Sequence, residues 1–411
     1  MNKIIAILLS LMVMGGTMSG IENSTDVAEV DSVSGNITVS DSASFTDKLY
    51  SAMPKDKNYM YSPFSIKSAL AMAANGANGS TKSEILDILG IENLDTYNEE
   101  MKSTIEKYSA TDLLRFDISN SIWLNTDNAH YDFSKDYTDT IGKFYDGEVG
   151  KVNNENALPE INGWVNKKTN GKIPSIINDS SFDAALINAI YFKAKWDDTF
   201  DKQDTRPDIF TDRNGKKTEI DFMHTMRKYP YAEKSGVKVI SLDYLTRGTT
   251  GNPLNPTNDS SVRLDANVSM FILLSYGEIT EPEKIVSEVY DDMTLRKVNL
   301  SLPKFKIEYS AQIAQTLKAL GIKSAFANAN FGRMFDEKTD TAISDIIHKT
   351  FIEVDEDGTE AAAVTAVVMV GSAAPRPEEI IDFKADRPFT FLIRDNKSGE
   401  TLFIGEYAFA E

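Results

Sequence analysis

Apolar positions recur along this chain with two spacings, and each predicts a set of elements. Phe45, Leu49 and Tyr50 begin a helical face just after Ser44. The aromatic run Asn58–Tyr59–Met60–Tyr61 predicts a short strand. Ser62 then suits a helix cap and Pro63 a first helical position. Ile66, Ala69, Leu70 and Ala73 continue at helical spacing until Asn75–Gly76 and Asn78–Gly79. Ser80 or Thr81 caps the next helix, whose stripe is Ile85, Leu86 and Leu89. Glu84 stands three residues past Thr81, as a capping box requires.

Residues 116–124 alternate and read as a strand. Residues 133–145 place Phe133, Tyr137, Ile141 and Phe144 on one helical face, and 158–169 place Ile161, Trp164 and Val165 on another. The run 184–194, AALINAIYFKA, is almost continuously apolar and suits a strand buried on both faces. Trp196 and Phe200 follow it. Beyond Phe210 the pattern turns to strands, at 237–241, 268–274 and 297–302, with a turn-rich stretch at 246–259. Residues 311–320 read as a helix. Residues 389–393 and 401–408 read as two strands joined as a hairpin. With no internal repeat and no linker, the pattern predicts an α+β fold in one unit.

One run fits neither spacing. Glu353–Ala374, EVDEDGTEAAAVTAVVMVGSAA, opens acidic, passes Gly358, and carries no charge from Ala361 to Ala374. Its valines and threonines suit a strand. Pro375–Arg376–Pro377 directly after it suits an exposed loop, because proline blocks helix and central strand alike. The residues leave both readings open.

Composition narrows the setting. The 411 residues are ample for a large core. A net charge of −19 disfavours nucleic acid and anionic membrane surfaces as partners. Residues 1–20 carry Lys3, an apolar stretch from Ile4 to Met14 and then small residues, the pattern of a signal peptide and too short to span a bilayer with ease. Cleavage is expected near Ser19 or Gly20. Residues 21–43 read as a flexible acidic leader. Secretion follows, with attachment at the cell surface as a variant of it. There is no cysteine, hence no disulfide and no thiolate chemistry.

Enzyme chemistry finds no local support. His130, His224 and His348 are the only histidines, and none has metal-ligand spacing. No phosphate loop or G-x-S-x-G is present. Asp355, Glu356, Asp357 and Glu360 lack the alternating ligands of a calcium loop and read as a solvated acidic face. Neither a metal nor another cofactor is expected.

Several of these stretches together resemble the serpin family. They are Asn58–Ile66 with Ser68–Leu70 and Gly76–Thr81, Asn188–Trp196, Leu302–Phe305, Glu356–Ala363, Asp386–Phe389 with Phe391–Asp395, and Phe403–Gly405. The resemblance runs from about Ser44 to Glu411. It implies an α+β serpin fold, with three β-sheets, eight or nine helices and an exposed reactive loop at about 356–380, in one domain spanning 44–411. It implies a monomeric inhibitor whose partner is a serine protease. The protease cuts the loop, stays linked to it as an acyl ester, and is carried off as the loop inserts into the central sheet.

The same resemblance assigns roles to residues. The hinge is Glu356, Gly358, Thr359, Glu360, Ala361, Ala362 and Ala363. Counted from Glu356, the cut bond falls at Ser372–Ala373, with Met369, Val370 and Gly371 as competing positions. Small residues there suit an elastase-like or subtilisin-like protease, whereas Pro377 after Arg376 makes a trypsin-like cut poor. Ser62, Ser65, Asn188 and His348 form the polar cluster beneath the central sheet, and Trp196 lies where the loop enters. Thr359, Ala361, Ala363, Thr365, Val367 and Met369 would share one uncharged face. An inserted strand would form roughly a dozen ladder bonds at about 0.5–1.5 kcal/mol each, so the uncut chain should be metastable. The alternative is a non-inhibitory serpin-fold carrier or adhesin, against which the small hinge residues weigh.

Overall fold

Ser44 accepts the amide of Asp47 at 3.1 Å and starts α1 (Phe45–Ala52). Ser62 does the same for Ser65 at 3.1 Å and, with Pro63 at the first position, starts α2 (Pro63–Gly76) directly after β1 (Tyr59–Tyr61). The computed structural model describes residues 40, 42–109, 114–245, 247–248, 262–263, 267–337, 341–359 and 379–410. The signal peptide and nearly all of the leader lie outside that set. After α2 come α3 (Gly79–Leu89), α4 (Leu94–Ser109), β2 (Leu114–Asn125), α5 (Lys135–Tyr145), β3 (Glu148–Val152), α6 (Ala157–Lys168) and β4 (Ala184–Lys195). A β-rich middle follows, with β5 (Arg206–Thr211), β6 (Lys217–Lys234), β7 (Val237–Asp243), the two-residue strands β8 (Arg247–Gly248) and β9 (Val262–Arg263), and β10 (Val268–Leu274). The chain ends with α7 (Pro282–Val289), β11 (Thr294–Pro303), β12 (Phe305–Gln312), α8 (Ala314–Leu320), β13 (Ile343–Val354), β14 (Gly358–Thr359), β15 (Ile380–Lys384), β16 (Phe389–Asp395) and β17 (Thr401–Tyr407).

Eight α-helices and three sheets therefore stand among the described residues, in keeping with the expected α+β architecture. One sheet has nine strands, in the order β1-β17-β16-β10-β7-β6-β11-β15, with β5 paired to β6. The second has six, in the order β12-β13-β14-β4-β2-β3, and the third is the β8–β9 ribbon. Helix α2 touches both large sheets, through β17 on one side and β2 and β4 on the other. That explains its composition: twelve of its fourteen residues are buried, so it is apolar nearly all round.

Strand β4 is the centre of the six-stranded sheet. It pairs antiparallel with β2 from Leu114↔Ala194 to Leu124↔Ala184, and parallel with β13 from Ile343↔Ala184 to Phe351↔Tyr191. Its two faces enter different cores. Leu186, Ile190 and Phe192 join the main core, whereas Ala185, Ile187 and Ala189 pack with Ile161 and Val165 of α6. A strand buried on both faces has no polar alternation to show, which is what its sequence predicts.

Three local expectations are corrected. Helix α3 begins at Gly79, ahead of Ser80 and Thr81, and no side chain caps it. The hydroxyl of Thr81 instead accepts the amide of Asn330 at 2.9 Å, and Glu84 accepts the amides of Lys323 and Ser324 at 2.7 and 2.6 Å. The capping-box pair is spent on tertiary contacts. Phe133 precedes α5 and bridges to Phe335. Residues 311–312 finish β12, so the helix there starts only at Ala314.

Gly405 of β17 shows how closely the nine-stranded sheet is packed. A Cβ there would lie 2.4 Å from the carbonyl oxygen of Tyr59 and 2.6 Å from the ring of Phe391. Gly405→Ala should therefore lower unfolding stability by roughly 1–3 kcal/mol in urea titrations followed by circular dichroism. An unchanged midpoint would contradict that packing.

Candidate functional site

The hinge is built by a tight turn between β13 and β14. The Asp355 carboxylate accepts the amides of Asp357 and Gly358 at 2.9 and 3.2 Å, and the Asp355 amide donates to the Gly358 carbonyl at 3.0 Å. Two residues then enter the sheet. Gly358 lies opposite Lys195, and Thr359 lies opposite Ala194 on β4 and Val354 on β13. Below Tyr191 and Phe351 the two long strands pair with each other; above, β14 stands between them.

Gly358 is required at this point. Its φ is +151°, and a Cβ would fall 2.3 Å from the Ala194 carbonyl oxygen and 2.7 Å from the Lys195 Cα. Thr359 is fully buried, and its hydroxyl is 2.9 Å from the Tyr244 hydroxyl. Tyr244 stacks on Trp196 with ring centroids 4.6 Å apart. Trp196 holds the turn twice, through Nε1 to the Asp355 carbonyl at 2.9 Å and through its amide to the Asp357 carbonyl at 3.1 Å.

The acidic run around the turn corrects an expectation. Glu356 and Asp357 are buried, not a solvated face. Glu356 accepts from Lys304 Nζ at 2.9 and 3.2 Å and from the Thr205 hydroxyl at 2.7 Å, while Asp357 pairs with Lys202 at 2.7 Å. Burial pushes the Glu356 carboxyl up, but the hydrogen bonds from Thr205 and Lys304 outweigh it and hold it below the usual range. Asp355 is shifted the other way, raised by burial. Lys202, Thr205, Lys304 and Tyr244 escaped sequence reasoning, because each reaches the turn from a distant part of the chain.

Beneath the sheet, Ser62, Ser65, Asn188 and His348 fall into one buried network. Strand register sets Asn120, Asn188 and His348 side by side in one row across β2, β4 and β13. The Ser62 amide donates to His348 Nε2 at 3.1 Å, so the ring proton is on Nδ1, where it donates to Asn188 Oδ1. The Asn188 amide donates to Ser65 and to Asn120 Oδ1, and Asn120 passes a bond to the Ser68 hydroxyl at 2.8 Å. Asn120 and Ser68 were not foreseen. The polar face of β2 hinted at the first, but its meaning depends on register. Of the other expected site residues, Glu360, Ala361, Ala362, Ala363, Met369, Val370, Gly371, Ser372 and Ala373 lie outside the described residues.

A family model described as Serpin (serine protease inhibitor) matches residues 40–408. The chain belongs to the serpin family. An uncharacterized serpin-like protein of Thermococcus kodakarensis is 33% identical over 88% of this chain and 83% of its own length. The leukocyte elastase inhibitor of Sus scrofa is 32% identical over 85% of this chain and 92% of its own. Among solved structures, the native state of the thermophilic serpin tengpin superposes with a TM-score of 0.76 at 30% identity, covering 89% of this chain and 92% of that one. Human thyroxine-binding globulin in complex with its ligand gives a TM-score of 0.75 at 24% identity, covering 89% and 96%. The serpin fold thus serves proteins that inhibit proteases and at least one that carries a ligand. No helix among the described residues is long and apolar enough to cross a membrane, and no group of acidic, histidine or cysteine side chains there could hold a metal.

The buried histidine makes the serpin core sensitive to acid. In an unfolded chain His348 titrates near 6.5. In the fold, burial keeps it neutral down to about pH 3. Between those values the unfolded state binds the extra proton, so stability is complete above about pH 6.5 and is lost as pH falls toward 3. His348→Gln should remove about 1.4 kcal/mol of stability loss per pH unit in that window, read as a flatter pH dependence of urea unfolding. Equal slopes for variant and parent would contradict the neutral buried ring.

Proposed function

We propose that this serpin is a secreted, monomeric, irreversible inhibitor of serine proteases of elastase-like or subtilisin-like preference. The observation that carries the proposal is Thr359, already buried between β4 and β13 in the register of a central strand. Continuing that register by two residues at a time brings Ala361 opposite Phe192, Ala363 opposite Ile190, Thr365 between Asn188 and His348, and Val367 opposite Leu186. All of those partners on β4 face the main core or its polar row. None of the incoming residues is charged. Glu360 takes the other face, opposite Lys193, which is exposed.

The proposed chemistry begins when the protease serine attacks the Ser372 carbonyl. The bond to Ala373 breaks, the amine of Ala373 leaves with a proton, and an ester links Ser372 to the enzyme. The freed strand then fills the slot that β14 begins. Insertion replaces one parallel pairing, β4 with β13, by two antiparallel ones, which are more stable per residue. Roughly a dozen new ladder bonds at about 0.5–1.5 kcal/mol each exceed what separation of one His–Asn tie costs. The ester is carried with the protease to the far end of the sheet, where distortion of the protease's active site keeps it from being hydrolysed. Export through the segment 1–20 belongs to the same proposal, whereas the end of the expected leader is tied to the fold, with Ala43 buried and the Ser40 amide donating to Glu281 at 2.7 Å.

The test is to mix the purified protein with elastase-like, subtilisin-like and trypsin-like proteases and to run denaturing gels. A denaturant-stable complex with either of the first two classes, and cleavage after Ser372 by mass spectrometry, is the expected result. Cleavage with full survival of the protease would sink the proposal and favour a carrier or adhesin. Ala363→Arg would place an unpaired charge on the face that insertion buries. It should cut the yield of complex by roughly tenfold or more while leaving cleavage and fold intact. Undiminished complex formation would contradict insertion.

A further inference from the structure

Strand β17 is buried at all seven positions, and Glu406 is its one charged residue. The register sets Glu406 opposite Thr390 on β16 and Tyr59 on β1. Its Oε1 accepts from the Arg213 guanidinium. Its Oε2 is buried and has no hydrogen-bond partner among the described residues. The Tyr50 and Thr390 hydroxyls are spent on each other at 2.8 Å. A carboxylate oxygen left unmet in a residue only 8% exposed is costly, and it calls for a donor.

Glu406 lies in the wall of a cavity of about 460 Å³, within the roughly 300–1,000 Å³ of small-molecule sites. The walls come from α1, the β5–β6 turn, the segment after β10 and the start of β16. Ile279 and Pro388 give the cavity an apolar side. Tyr276 also lines it while being 92% exposed, and the Arg387 guanidinium lies 4.0 Å from the centre of its ring.

The charges of the lining balance, with Lys55, Arg213 and Arg387 against Asp212, Glu278 and Glu406. Two of these are engaged with each other, since Lys55 pairs with Glu278 at 2.6 Å. Asp212 accepts the amides of Asn214 and Lys216, each at 2.8 Å, and so serves its own turn. Each guanidinium has five N–H donors. Arg213 gives one to Glu406, and Arg387 gives one to the Ser275 carbonyl at 3.4 Å and one to Asp386 at 3.1 Å. The cavity therefore offers an acceptor without a donor beside two guanidinium groups. A simple anion would be repelled by Glu406, and a simple amine by the guanidinium groups. A zwitterion satisfies both.

We propose that this cavity binds a free α-amino acid with an aromatic side chain. The ligand ammonium donates to the Glu406 carboxylate and supplies the partner that Oε2 lacks. The ligand carboxylate accepts from Arg213 and Arg387. The ligand ring lies against Tyr276. The site belongs to the nine-stranded sheet and shares no residue with the hinge turn or the buried polar row, so it stands independently of the insertion reading.

Calorimetric titration of the full chain tests the site, with phenylalanine, phenethylamine and 3-phenylpropionate as probes. Phenylalanine should bind at least about tenfold more tightly than either of the others, each of which lacks one charged group. Equal affinity for phenethylamine or for phenylpropionate overturns the zwitterion reading, and absence of phenylalanine binding overturns the site. Glu406→Gln, with its fold checked by circular dichroism, should weaken phenylalanine binding at least about tenfold. Unchanged affinity there overturns the role given to Glu406. Tyr276→Ala alters an exposed side chain and spares the core. It should weaken phenylalanine binding about threefold and leave alanine binding as it is. Equal affinity of this variant and the parent for phenylalanine overturns the aromatic preference.

Discussion

The approach of Gly358 to the carbonyl of Ala194 is the contact on which the upper half of the six-stranded sheet depends. At 2.3 Å from where a Cβ would sit, no other residue fits. That approach lets the chain leave β13, reverse over Asp355 and re-enter the same sheet one strand away. The stack of Trp196 on Tyr244, the bond from Tyr244 to Thr359 and the burial of Glu356 all presuppose it. On the proposed mechanism, a sheet opened at one end and closed below is not the lowest arrangement of so many ladder groups. It persists because the turn is held on several sides: by Trp196, by Lys304 and Thr205 on Glu356, and by Lys202 on Asp357.

Below the wedge the closed half is held by a different kind of interaction. The row Asn120–Asn188–His348 is buried beneath the sheet and directional, anchored to the first turn of α2 through Ser62 and Ser65. Polar groups in such a place are costly unless all are satisfied. Here they specify one pairing of β4 with β13. Set against the roughly one dozen ladder bonds of the proposed insertion, a few such ties at about 0.5–1.5 kcal/mol each would delay it without forbidding it. A tie of that size sets a rate; it does not decide the end state.

Much of this was legible in the sequence, because it is local. The cap at Ser62 with Pro63, the doubly buried run of β4, and the hairpin of β16 and β17 each follow from a few adjacent residues. Gly358 and the uncharged positions after it also announce themselves. What was not legible depends on partners brought from afar. The acidic residues 355–357 look solvated until Lys304, Thr205 and Lys202 arrive beside them. Thr81 and Glu84 have capping-box spacing, yet their oxygens go to Asn330, Lys323 and Ser324. Helix α4 had a signal that was available: Leu94, Tyr97, Met101, Ile105 and Tyr108 recur at helical spacing within an otherwise polar stretch.

The contrast between β4's two neighbours bears on the proposed insertion, because it sets this sheet apart from the nine-stranded one. On one side β4 and β2 pair antiparallel over the whole length from Ala184 to Ala194. On the other, β4 and β13 run parallel, part above Tyr191, and carry a bulge at Ser344 at the foot. A strand that enters between them runs antiparallel to both, so each of its faces gains the better ladder geometry. Both flanking strands keep their outer partners throughout. The β4–β13 seam is thus the one place in this sheet where pairing can be exchanged for more pairing, and Thr359 already occupies its upper end.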